Sequence, residues 1–99
     1  MYPASSEQLK HLAERYLAMD LDGVSAEEIS GDIAALQKIL DTVAGNPEMP
    51  EISGLVSQII PHLYVARSLA SPQIPRKMDF YLHMHECQNI FRQLSRFLK

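Results

Sequence analysis

Apolar residues in this chain recur every three or four positions along four separate stretches, and no stretch sustains an apolar–polar alternation of period two. That pattern decides the fold class, because a spacing of three and four lines up one face of a helix while a spacing of two lines up one face of a strand. The stretches are parted by Gly23, by "GNPEMP" at residues 45–50 and by "SPQIPRK" at residues 71–77, all of them turn and breaker residues. Short connections between helices of similar length favour antiparallel neighbours. The sequence therefore predicts an all-α chain: an antiparallel up-down four-helix bundle, one domain over residues 1–99, with helices at about 5–22, 25–44, 51–70 and 76–98.

The first helix carries Leu9, Leu12, Ala13, Tyr16 and Leu17 at helical spacing, and Ser5 with Gln8 has the spacing of a capping box. In the second, Ser25 with Glu28 repeats that spacing, and Ile29, Ile33, Leu36, Leu40 and Val43 form the stripe. Gly31 interrupts it at a cost of about 1 kcal/mol against alanine, which a close helix–helix approach would explain. The third contains Pro61, yet Ile52, Val56, Ile59, Leu63, Ala66 and Ala70 keep their phase across it. A helix kinked or broken at Pro61 is the expectation. Ile60, Tyr64, Val65 and Leu69 extend its apolar surface around most of the circumference. Such a helix is either central or shared with a second subunit, so these four residues are the candidate interface of a homodimer. The last helix packs through Phe80, Met84, Cys87, Phe91, Leu94 and Leu98, with His83, Ile90 and Phe97 alongside.

Composition narrows the classes. Hydrophobic residues make up 46% of the 99 positions and charged ones 21%, which suits one ordinary globular core. No apolar run approaches the roughly 20 residues of a membrane span, and "MYPASSEQLK" lacks the basic-then-apolar pattern of a signal peptide. The single cysteine, Cys87, cannot form an internal disulfide. Together these features point to the cytoplasm. The net charge of −3 argues against a general nucleic-acid binder. Residues 1–50 hold three basic and nine acidic side chains, against six and three in residues 51–99. Acidic and basic helices lying side by side would explain that division.

Chemistry concentrates in "HMHEC" at residues 83–87. On a helix His83 and His85 point about 200° apart, so they cannot share an ion. His83 and Cys87, at i and i+4, do share a face, but a structural zinc site wants four ligands and Cys87 lies in the apolar stripe. A thiolate nucleophile there would need exposure and positive surroundings. No nucleophile elbow, P-loop or dinucleotide fingerprint is present. Nor does any histidine have a lysine three residues on, as histidine phosphotransfer modules do: His11 is followed by Glu14, His62 by Val65 and His85 by Gln88. "GVSAEEISGDIAALQKIL" has the look of a helix-turn-helix, but Ala26, Glu27 and Glu28 would meet the phosphates with two carboxylates.

The reading that remains is a non-catalytic protein–protein interaction module, an adaptor, chaperone-like factor or regulator, with no cofactor or metal and no membrane attachment. Its candidate partner-binding face is Tyr81, His85, Asn89, Arg92 and Arg96, on the side of the last helix away from the stripe. Tyrosine and arginine are frequent interface anchors. Two alternatives stand beside it. One is a nucleic-acid-associated regulator, in which Arg67, Arg76 and Lys77 would have to extend the same basic face. The other is a metal or thiol site at His83 and Cys87.

Overall fold

The computed structural model describes residues 3–43, 50–71, 73 and 75–98. Four helices run in chain order: α1 (Pro3–Leu17), α2 (Ala26–Val43), α3 (Pro50–Leu69) and α4 (Met78–Ser95). Among the described residues there is no strand. α1 packs on α2 and α4, and α3 packs on α2 and α4, with no diagonal contact, so the helices form a four-cornered bundle. It measures 43 × 21 × 19 Å. No helix among the described residues is long and apolar enough to cross a membrane. Each helix of the acidic half has a neighbour from the basic half, α1 beside α4 and α2 beside α3.

The core is built by the stripes. Leu9, Leu12, Ala13 and Tyr16 from α1 meet Ile29, Ile33, Leu36, Ile39 and Val43 from α2, and the apolar sets of α3 and α4 close the other side. Tyr16, Phe80 and Phe91 are the largest fully buried side chains. No buried side-chain nitrogen or oxygen among the described residues lacks a hydrogen-bond partner, as a well-specified interior requires.

α1 departs from expectation at both ends, each for a local reason, and α4 is shorter than 76–98, running Met78–Ser95. α1 begins at Pro3, whose fixed φ suits a first turn, so Ser5 lies inside the helix and is not its cap. α1 also ends at Leu17, well before residue 22. The Asp20 side chain accepts the Asp22 amide at 3.1 Å and its carbonyl accepts Gly23 N–H at 3.1 Å, an Asx turn that competes with helix. α3 passes through Pro61 unbroken. Pro61 is exposed, as is Ser57, whose carbonyl loses its helical donor, so water can take the place of the missing N–H. Elsewhere the signals hold: the Ser25 hydroxyl accepts the Glu28 amide at 3.1 Å and caps α2. Of "GNPEMP", only Pro50 falls within the described residues.

Gly31 marks no close helix approach. It is exposed, and a Cβ there would meet nothing within 4 Å; the same holds for Gly54 in α3. Each glycine therefore only adds unfolded-state entropy and weakens its helix. Gly31→Ala and Gly54→Ala are each expected to stabilise the fold by about 0.5–1 kcal/mol and to add in the double variant. Thermal unfolding followed by circular dichroism should show the midpoint rising by several degrees.

Candidate functional site

The outer side of α4 carries one uninterrupted exposed stripe. Met78, Leu82, His85, Asn89, Arg92 and Arg96 are all exposed and step by four and three, which keeps them within about 80° of arc. Its first two turns are apolar, Met78 being 70% and Leu82 58% exposed. Its last two turns are basic. Arg92 donates to Asn89 Oδ1 at 2.9 Å, and His85 Nδ1 lies 3.1 Å from Gln88 Oε1. These contacts are local to the helix and leave the stripe open to the outside. Four of the five residues expected on this face, His85, Asn89, Arg92 and Arg96, lie on it. Tyr81 sits at its edge, half-buried, and donates its hydroxyl to Asp22 Oδ1 at 2.5 Å.

The apolar surface expected to mediate self-association is divided. Ile60 and Leu69 are half-buried against the core. Tyr64 is 40% exposed, but its hydroxyl accepts from Gln37 Nε2 at 2.9 Å and Arg67 stacks over its ring at 4.8 Å. Val65, 39% exposed, is the one member left open. Arg67 also reaches Ser30, and Arg76 donates to the Leu21 and Val24 carbonyls while stacking on Phe80. Both arginines are thus spent on contacts within the fold, and no basic surface runs from them to Arg92 and Arg96.

Three further clusters carry chemistry. Asp32 is buried between α1 and α2, where it accepts the Tyr16 hydroxyl at 2.6 Å and a guanidinium hydrogen bond from Arg15. An open groove of about 630 Å³ lies beside it, lined by His11, Glu14, Arg15 and Ala35 among others. Both Asp32 oxygens are engaged, by Arg15 and by Tyr16, so this carboxylate serves the fold. Desolvation, then the hydrogen bond to Asp32, pushes the Tyr16 phenol well above its usual range.

The second cluster pairs residues 21 apart. His62 of α3 and His83 of α4 place their Nδ1 atoms 2.8 Å apart in a half-buried position. His83 therefore finds its polar partner across the helix seam, a partner that no local motif announces. The third is Cys87, fully buried, its thiol 4.0 Å from the Ile59 carbonyl. Burial, helped by the charge of Glu86, pushes that thiol from 9.0 up to about 12. A sealed, protonated thiol supplies neither a nucleophile nor a thiolate ligand. Among the described residues no three His, Cys, Asp or Glu side chains gather for a metal.

Comparison of the chain with protein-family models, characterised proteins and solved structures returned no match.

Two outcomes follow for the buried polar groups. Asp32→Ala strands the Tyr16 hydroxyl and should cost about 1–3 kcal/mol, with Tyr16→Phe milder and the double variant less damaging than the sum. Urea unfolding of the four proteins measures this coupling. Cys87 and Tyr16 are acids that the fold holds protonated. From about pH 9 the unfolded chain releases the Cys87 proton while the folded chain keeps it until about pH 12. Stability from these groups is complete below about pH 9 and declines as pH rises above it. Denaturation midpoints should show that decline, and Cys87→Ala should flatten it.

Proposed function

We propose that this chain is a non-catalytic protein-interaction module, an adaptor, chaperone-like factor or regulator, that docks its partner on the outer stripe of α4. The observation that carries this reading is the exposure of Met78 and Leu82 directly in line with His85, Asn89, Arg92 and Arg96. A merely solvated face would account for cations in the last turns, where the helix dipole favours them. It does not account for two large apolar side chains stacked at i and i+4 at the other end of the same stripe.

Covering those side chains is worth the effort energetically. Fully burying a Leu or Met side chain contributes about 1.5–3 kcal/mol, enough for a tenfold or greater effect on affinity from one residue. Arginines at the rim add orientation and association rate more than affinity. The partner that fits best has an apolar contact beside a carboxylate-bearing segment. A symmetric pair of copies joined through this stripe would set Arg92 and Arg96 against the same cationic surface, or against Met78 and Leu82, since the stripe itself holds no carboxylate.

A photo-reactive residue placed at position 89, and separately at the exposed position 38 on α2, tests the site in the native host. Crosslinking to one protein from position 89 but not from 38 is expected. Leu82→Glu should reduce that capture at least tenfold while leaving thermal stability within about 0.5 kcal/mol, as an exposed substitution does. Equal capture from both positions, or capture indifferent to Leu82→Glu, removes the α4 stripe as the docking face. A second copy of the chain as the captured species would assign the stripe to self-association.

A further inference from the structure

We propose that His62 and His83 form an open two-histidine site for a tetrahedral divalent ion of the zinc class. The two imidazoles come from α3 and α4, the most extensively packed pair of helices, and they are the only ring nitrogens brought face to face among the described residues. Their Nδ1 atoms are 2.8 Å apart and their ring centres 5.1 Å apart, with the planes tilted by 43°. Without metal, one Nδ1 carries a hydrogen and donates it to the other. That bond is nearly end-on, because about 1.2 Å from each ring centre to its nitrogen accounts for the rest of the centre-to-centre distance.

The same placement suits a metal with little change. A Zn–N bond of about 2.05 Å sets the ion about 3.2 Å from each ring centre. With the ring centres held 5.1 Å apart, the N–Zn–N angle comes to about 105°, close to the tetrahedral value. Reaching it widens the Nδ1 separation from 2.8 Å to about 3.3 Å, a modest swing of the two rings on their side-chain torsions. The terminal torsion of histidine has a broad, shallow profile, so the swing is cheap. The donor's hydrogen moves from Nδ1 to Nε2 through solvent, each ring staying neutral, and both Nδ1 lone pairs are then free to bind.

The remaining environment is consistent with such a site. The pair is half-buried, so an ion can enter from the seam. Cys87, one turn from His83, is excluded as a third ligand by its burial in the core. No third His, Cys, Asp or Glu joins the pair among the described residues. Two coordination positions are left for water or for a donor brought by another molecule. The site is separate from the α4 stripe: His83 lies about 140° around the helix from Met78. The inference therefore stands or falls independently of the proposed docking face.

Cobalt(II) is the probe of choice, since its visible absorption reports coordination geometry. Titration of the full chain at neutral pH should give one saturable site with the strong visible bands of a tetrahedral ion, displaced by zinc. Calorimetric zinc titration should show one ion per chain and a raised thermal midpoint. His62→Gln and His83→Gln should each weaken binding at least tenfold, since loss of an outer-shell partner alone costs that much. His11→Gln and His85→Gln should leave it unchanged. Should the first pair of variants misfold, the histidine side-chain resonances of the wild-type chain decide the matter, with those of His62 and His83 shifting together on zinc addition. Absence of saturable binding at several-fold molar excess, or shifts confined to His11 and His85, overturns the proposal.

Discussion

The bundle depends on a buried carboxylate at its sparsest seam. α1 and α2 share less contact than any other adjacent pair, and between them lies Asp32, with Tyr16 and Arg15 as its partners. A charge taken out of water costs several kcal/mol unless it is paired and hydrogen-bonded. Both oxygens of Asp32 are satisfied at one height of α1 along α2, and sliding by a turn would leave a buried charge bare. An apolar side chain at position 32 would fill space without fixing that register. Tyr16 spreads the constraint further. Its ring stacks on Phe91 of α4, with centroids 4.7 Å apart, and its carbonyl accepts Gln88 Nε2 at 3.0 Å. One residue thus ties α1 to α2 and α4 together.

Three polar side chains draw α4 and its leading turn toward the α1–α2 side. Gln88 bonds the end of α1, Tyr81 bonds Asp22, and Arg76, just before α4, holds the carbonyls of Leu21 and Val24. These contacts use the flank of α4 that faces α1. Its opposite flank packs on α3, where the Cys87 thiol nears the Ile59 carbonyl and His83 meets His62. What remains outward is the stripe from Met78 to Arg96, which no contact within the fold consumes. The exposed stripe is defined by the way the rest of the helix is occupied.

Much of this was legible in the sequence, and the gaps have physical causes. Periodicity located four helices because burial in a bundle imposes a single face on each. The ends of α1 escaped it because Asp20 offers the backbone an Asx turn that competes with helix, a choice made by one side chain rather than by the stripe. Continuity through Pro61 depended on which side of α3 the proline faces, and an exposed carbonyl can lose its donor where a buried one cannot. On α4, helical phase separated His85, Asn89, Arg92 and Arg96 from the core correctly. Met78 and Leu82 share that phase, but an apolar residue on an exposed face is ordinary and the sequence alone does not single it out. Asp32 was discoverable: it falls three residues after Ile29 and four before Leu36, on the core side of α2 where a charge requires a partner. The identity of that partner was not, because Tyr16 belongs to another helix. Nor was the link between His62 and His83, which only the packing of α3 on α4 creates.

The "HMHEC" segment shows how one helix can divide its chemistry by angle. Cys87 points inward and is sealed, as its place in the apolar stripe implies. His83 stands at the α3 seam, where half-burial leaves its ring both positioned by packing and reachable from outside. His85 stands on the outer stripe among apolar and cationic neighbours, suited to contact with another surface. Five consecutive residues therefore serve three environments, and the angular step of about 100° per residue separates them more decisively than distance along the chain. Because the seam and the stripe lie on different sides of α4, occupation of one does not obstruct the other. A partner held on the stripe would contact a different side of α4 from the one on which His83 meets His62.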